Sequence, residues 1–139
     1  MPIEIPQLPV AFMNEDHGHA AVQIETMKTV LSAYHHSREP LAQACRVFLA
    51  HSREHFAREE AAMQASGFPP FHIHKGEHDR VLAWLQNLIE GIDAGLDIAV
   101  VTKTVEHEIP AWFVQHIQTM DRATAAWIST RQTTSGVCV

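Results

Sequence analysis

Apolar positions recur every three or four residues in four separate stretches of the chain. In the first, from about 12 to 37, His17, Ala20, Ile24, Met27, Leu31 and Tyr34 step by three and four. That is the period of a helix with one buried face. Pro40 disfavours helical geometry in the residue before it and can open the next helix in its first turn. The second stretch runs to about Ala65 with Leu41, Cys45, Phe48, Ser52, His55, Glu59 and Met63 on one face, and Gly67, Pro69 and Pro70 turn the chain. A third helix is predicted from about 72 to 92, its inner face reading His74, His78, Val81, Leu85, Leu88 and Ile92. Asp97 is placed to cap a fourth, from about 98 to 130, which Pro110 is expected to kink or split. No strand alternation and no internal repeat is seen. The expected architecture is all-α: an antiparallel up-down four-helix bundle over 12–130, with an extended Pro-rich arm at 1–11 and a flexible tail at 131–139.

Composition changes this picture in one respect. The 139 residues suit one domain, 46% apolar, with net charge −6 and no basic run, so neither nucleic acid nor an anionic membrane is an expected partner. No stretch is long and apolar enough to span a bilayer, and no basic segment leads into an apolar core at the start, so neither a membrane span nor a signal peptide is predicted. Cys45 and Cys138 make no disulfide framework, which fits a reducing cytoplasm. The exception is histidine, with 11 against 10 Lys plus Arg. They are spread along the chain, which excludes a tag and leaves metal ligation or pH response.

The histidines fall in phase with the apolar stripes. A helix turns about 100° per residue, so residues four apart share a face. His55 and Glu59 have that spacing, as do His74 and His78. His116 and Asp121 are five apart, about 140° around an α-helix, so Asp121 is expected to reach sideways. His17 lies in phase with Ile24 and Leu31, whereas His19 does not. Any one of these alone reads as a satisfied core histidine or a solvated surface pair. Together they put seven ligand-type residues on four apolar faces, and Glu59 and Asp121 near a core require a cation.

The segments MNEDH ending at His17, HFAREEAAM from His55, FPPFHIHKGEH ending at His78 and WFVQHIQTMD ending at Asp121 resemble those of a hemerythrin, in particular a single-domain bacterial hemerythrin, over roughly 12–128. The resemblance implies the same four-helix fold and two iron ions in an oxo- or hydroxo-bridged centre. It implies that Glu59 and Asp121 bridge the irons, that His74, His78 and His116 complete one, and that His17 and His55 serve the other. It matches Trp112, Phe113 and Ile117 to positions walling a dioxygen pocket. Ala20 departs from the family, which often carries a larger side chain there. With these ligands and a bridging oxygen, two octahedral irons keep one open position, on the iron with two histidines. His51, one turn before His55, stands as a candidate supporting residue behind the ligands. Glu60 reads as a solvated charge.

The function expected is reversible dioxygen binding by a carrier, store or sensor, not an enzyme. The alternatives are a peroxidase, an oxidase or a nitric-oxide scavenger on the same centre, or iron buffering. Carboxylate-rich di-iron enzymes use ExxH motifs, and the chain has none. HExxH, CxxC and GxSxG are also absent. The pattern does not fix oligomeric state; a monomer is favoured.

Overall fold

The computed structural model describes residues 3–138, with side chains through 131. Helix α1 is Ala11–Leu31, α2 is Glu39–Ser66 and α3 is Phe71–Asp93. A fourth, composite helix, α4, runs through Ile98–Thr102, a π segment at Lys103–Glu108, Ile109–His116, a second π segment at Ile117–Asp121, and Arg122–Cys138. Short connections make successive helices antiparallel, and the result is the four-helix bundle expected. The tail expected at 131–139 falls, from 132 on, outside the described side chains.

The ends of the helices follow local chemistry. Asn14 clamps the incoming arm from both sides: Leu8 N–H donates to its Oδ1 and its Nδ2 donates to Leu8 O, each at 2.8 Å. This packs Leu8 and Val10 of the extended arm into the core. Helix α1 ends at Leu31, earlier than the expected 37, because 32–36 form turns. Tyr34 keeps its helical phase as a buried residue, and its hydroxyl donates to Leu96 O at 2.6 Å, tying the first loop to the third. Gly67 closes α2 with φ of 69°, the left-handed geometry that glycine adopts without strain, and Phe68 N–H returns to Met63 O. Asp97 caps α4 by accepting from Ala99 N–H at 3.1 Å.

Pro110 does not split the fourth helix. The turn before it widens, so that Ile109 N–H reaches Thr104 O five residues back. The ring that cannot donate is thereby absorbed within continuous helix. Beyond the site, Met27, Leu41, Ile92 and Val101 are fully buried and fill the bundle.

Candidate metal centre

All seven residues singled out by their phase come together. His17 lies in the second turn of α1, His55 and Glu59 toward the end of α2, His74 and His78 in the opening turns of α3, and His116 and Asp121 in α4. Each is buried, and Glu59 is 0% exposed. They form two groups of converging donor atoms: Glu59, His74, His78, His116 and Asp121 in one, His17, His55, Glu59 and Asp121 in the other. The two carboxylates belong to both.

Each carboxylate divides its oxygens between the groups. Glu59 Oε1 faces Nε2 of His78 at 3.2 Å and of His74 at 3.7 Å. Its Oε2 faces Nε2 of His55 at 2.8 Å and of His17 at 3.8 Å. Asp121 Oδ1 lies 3.0 Å from His74 Nε2 and 3.1 Å from His116 Nε2, while Oδ2 lies 2.9 Å from His17 Nε2. Asp121 gets there because of the second π segment, where Arg122 N–H bonds to Ile117 O five residues back. The wider turn brings residues five apart to one side, so the sideways reach expected of a regular α-helix is not needed.

Of these contacts, only that between His17 Nε2 and Asp121 Oδ2 is a hydrogen bond. Both oxygens of Glu59, Asp121 Oδ1 and His78 Nε2 have no hydrogen-bond partner among the described residues. Such orphaned buried groups are costly. The ion-pair partners of Glu59 and Asp121 are all imidazoles. For His17, His55, Glu59 and Asp121 burial opposes charge, yet the field of their neighbours wins. Burial would lower the His17 pKa, but Asp121 and Glu59 push it up to about 9. Burial likewise opposes charge on His55, and Glu59 raises it. Burial and the neighbouring Asp121 would raise the Glu59 carboxyl, but His55 and His17 hold it below the ordinary range. Burial would raise Asp121 too, and His116, His17 and His74 hold it well below. The site draws positive charge, and converging imidazole and carboxylate donors suit a divalent first-row metal such as iron. The residues present fit a metal on this ground.

Behind the ring nitrogens stand residues whose roles the sequence did not disclose. His55 Nδ1 meets Asp16 Oδ2 at 2.8 Å, and Arg58 Nε donates to the same oxygen at 2.9 Å. Burial would raise the Asp16 carboxyl, but Arg58 and His55 hold it low. His74 Nδ1 meets Thr124 Oγ1 at 2.7 Å. His78 Nδ1 meets Glu60 Oε2 at 2.8 Å, so Glu60 is a partner of the site and not the solvated charge expected. Trp112 stacks on His116 with centroids 4.7 Å apart, and its indole N–H donates to Glu77 at 2.8 Å. The available signal was adjacency, since Asp16 precedes His17 and Glu60 follows Glu59. His51 is half-buried, lies parallel to His55 and sits 3.1 Å from Asp16 O through Nε2. His19 is exposed.

A cavity of about 20 Å³ opens beside the centre, lined by Trp112, Phe113 and Ile117, by Ala20 and Phe48, and by His17 and His55 among others. It has room for one water-sized molecule.

A four-helix bundle with two histidine groups sharing two buried carboxylates defines a class of metal-binding helical protein, and comparison with known proteins agrees. Residues 8–128 match the family described as Hemerythrin HHE cation binding domain. The chain is 38% identical over 117 residues to a bacteriohemerythrin of Ralstonia nicotianae, covering 84% of this chain and 80% of that one. A bacteriohemerythrin of Methylococcus capsulatus is 34% identical over 68 residues, 49% of this chain and 50% of that one. Solved structures of two hemerythrin variants superpose with TM-scores of 0.82 and 0.81 at 22% identity, covering 93% of this chain and 99% of theirs, which speaks for the fold. The chain belongs to the hemerythrin family. No helix among the described residues is long and apolar enough to cross a membrane.

Proposed function

We propose that His17, His55, Glu59, His74, His78, His116 and Asp121 hold two iron ions and that the chain binds dioxygen reversibly. One observation carries this reading: each of two buried carboxylates turns its two oxygens toward different sets of imidazoles. That is the arrangement of bridging ligands. Iron held there would supply the electrons that binding of a diatomic ligand needs. The residues do the rest. Glu59 and Asp121 hold the two groups at one spacing. Phe48, Phe113 and Ile117 keep the adjoining cavity apolar and small. Ala20 adds a small side chain to the same wall.

Bacteriohemerythrins are oxygen-binding proteins and not enzymes, and the chain is read as one of them. The peroxidase alternative needs an acid in the cavity, and His51 is the candidate. Its Nε2 proton is given to Asp16 O, and burial holds its imidazolium below the ordinary range. Both features favour binding over proton delivery. A reducing cytoplasm accords with Cys45, a free thiol whose pKa burial pushes up to about 12.

The test is metal analysis with an ultraviolet–visible spectrum of the reduced, iron-loaded chain before air, after air and after anaerobic removal of oxygen. Two irons per chain and a visible band that comes and goes are expected. One metal per chain, or zinc retained when iron is plentiful, counts against the reading. Fast peroxide turnover that collapses in His51→Ala would promote the enzyme alternative.

A further inference from the structure

Two carboxylates stand behind ligand imidazoles, and each serves a helix other than its own. Asp16, on α1, accepts from His55 Nδ1 on α2 at 2.8 Å. Glu60, on α2, accepts from His78 Nδ1 on α3 at the same distance. The geometry points to Asp16 and Glu60 as positioning residues that fix His55 and His78 in the Nδ1–H tautomer and aim each bare Nε2 at a metal cation. This rests on the ligand set proposed above.

The reason is the two-sided chemistry of imidazole. A neutral ring carries one proton, and only the nitrogen without it can ligate. An acceptor fixed behind Nδ1 decides which nitrogen that is. A carboxylate there also strengthens the donor. The Nε2 atoms of both rings face Glu59, at 2.8 Å for His55 and 3.2 Å for His78, so the rings already present the ligating side to the centre. Asp16 is held in place by more than the ring, and on the Glu60 side it is the ring that is held. Asp16, with a side chain 11% exposed, is gripped by Arg58 through the same Oδ2. Glu60, 20% exposed, sits where α2 meets α3, with Phe56 stacked flat on His78 at 3.9 Å beside it. His74 has the neutral hydroxyl of Thr124 in the same place. The pairs also cross the α1–α2 and α2–α3 interfaces, so they set the register of one ligand against the next helix.

Zinc serves as a diamagnetic probe. In the zinc-loaded full chain, proton NMR should show downfield, slowly exchanging Nδ1–H signals for His55 and His78. In Asp16→Ala the His55 signal should broaden into exchange while that of His78 persists, and Glu60→Ala should do the reverse. Zinc affinity, measured by chelator competition, should fall about 10- to 100-fold in each. Asp16→Asn keeps a neutral acceptor and should restore the His55 signal with part of the affinity. It also carries the test if the alanine variant does not fold. Both signals intact in the alanine variants, with affinity within about twofold of the parent and so short of such partners' usual effect, would overturn the inference. So would an affinity loss with no change confined to the paired ring. His55→Ala separates the two readings. If it keeps full zinc affinity, the ligand set fails and takes this inference with it. If it loses zinc while Asp16→Ala does not, the positioning role alone fails.

Discussion

On one side of Glu59 and Asp121 stand His74, His78 and His116, carried by α3 and α4; on the other stand His17 and His55, carried by α1 and α2. The two sides are backed differently. On the three-histidine side every ring is held from behind: His74 by Thr124, His78 by Glu60 and the flat face of Phe56, His116 by the stacked Trp112. On the other side His55 has Asp16, but His17 Nδ1 has no hydrogen-bond partner among the described residues. The cavity lies on this less furnished side. Both of its imidazoles, His17 and His55, line the cavity, whereas of the other three only His116 does.

The difference shows how one pair of carboxylates can support two unlike halves. Packing aromatic rings and acceptors behind three imidazoles fills their side with protein. Leaving small and apolar groups beside two imidazoles keeps space there for a ligand. The residues that make the difference, Ala20 and Trp112 among them, are not donors to the centre at all.

The comparison predicts, first, that metal holds both halves together. The donors converge only in the folded chain, so the metal-free protein should melt lower than the loaded one. For a metal at about a thousand times its Kd the linkage is roughly 4 kcal/mol, or on the order of 10 °C. Calorimetry on the two forms measures it, and equal melting temperatures would mean the site is not part of the fold's stability. Second, Glu59→Ala and Asp121→Ala should each cost metal from both halves, because each carboxylate faces both. Metal analysis should fall below two per chain, while Glu108→Ala, at an exposed position, should leave it unchanged. A variant of Glu59 that empties only one half would break the comparison.

The converging candidate donors could be read from the sequence because residue type and helical phase agree: His55 with Glu59 and His74 with His78 sit four apart on apolar faces. The four-helix bundle followed from the same stripes. What could not be read is what regular geometry misstates. Asp121 was expected to lie about 140° from His116 on an α-helix, and a π segment brings it round. Pro110 looked like a break, and an earlier π segment absorbs it. Glu60 looked solvated because it is one residue past an inward position. That direction faces α3, and only the register between two helices puts His78 there. Asp16, Thr124 and Glu77 were hidden for the same reason.

A third prediction tests whether the cavity belongs to the two-histidine half. Ala20→Phe should crowd a space of about 20 Å³ without touching a ligand atom. Overpacking of this kind costs about 1–3 kcal/mol. If that penalty falls on ligand entry, azide or dioxygen affinity drops roughly tenfold or more. Metal content should stay at the parent value. Unchanged ligand affinity in a folded, fully loaded variant would place the ligand elsewhere.

The smallest effect concerns the rim of the three-histidine half. Its His116 is steadied by the Trp112 ring, and Trp112 is held by Glu77. Glu77 is in turn gripped by Arg80 at 2.6 and 2.9 Å. Arg80 lowers the Glu77 carboxyl to about 2 from an ordinary 4.5, against burial and with help from the indole N–H. A depressed acid stabilises the fold fully above its unfolded pKa and loses that contribution as pH falls through its folded one. The window for Glu77 is therefore about 4.5 down to about 2. Arg80 is 58% exposed, so the pair is screened and worth about 0.5 kcal/mol, as for surface pairs. Urea unfolding of the metal-free chain and of Glu77→Gln should differ by a constant small gap between pH 5 and 7. The gap should narrow below about 4.5 as the parent carboxyl protonates. A gap that varies between pH 5 and 7 would show that a histidine, and not the Glu77 latch, controls that rim.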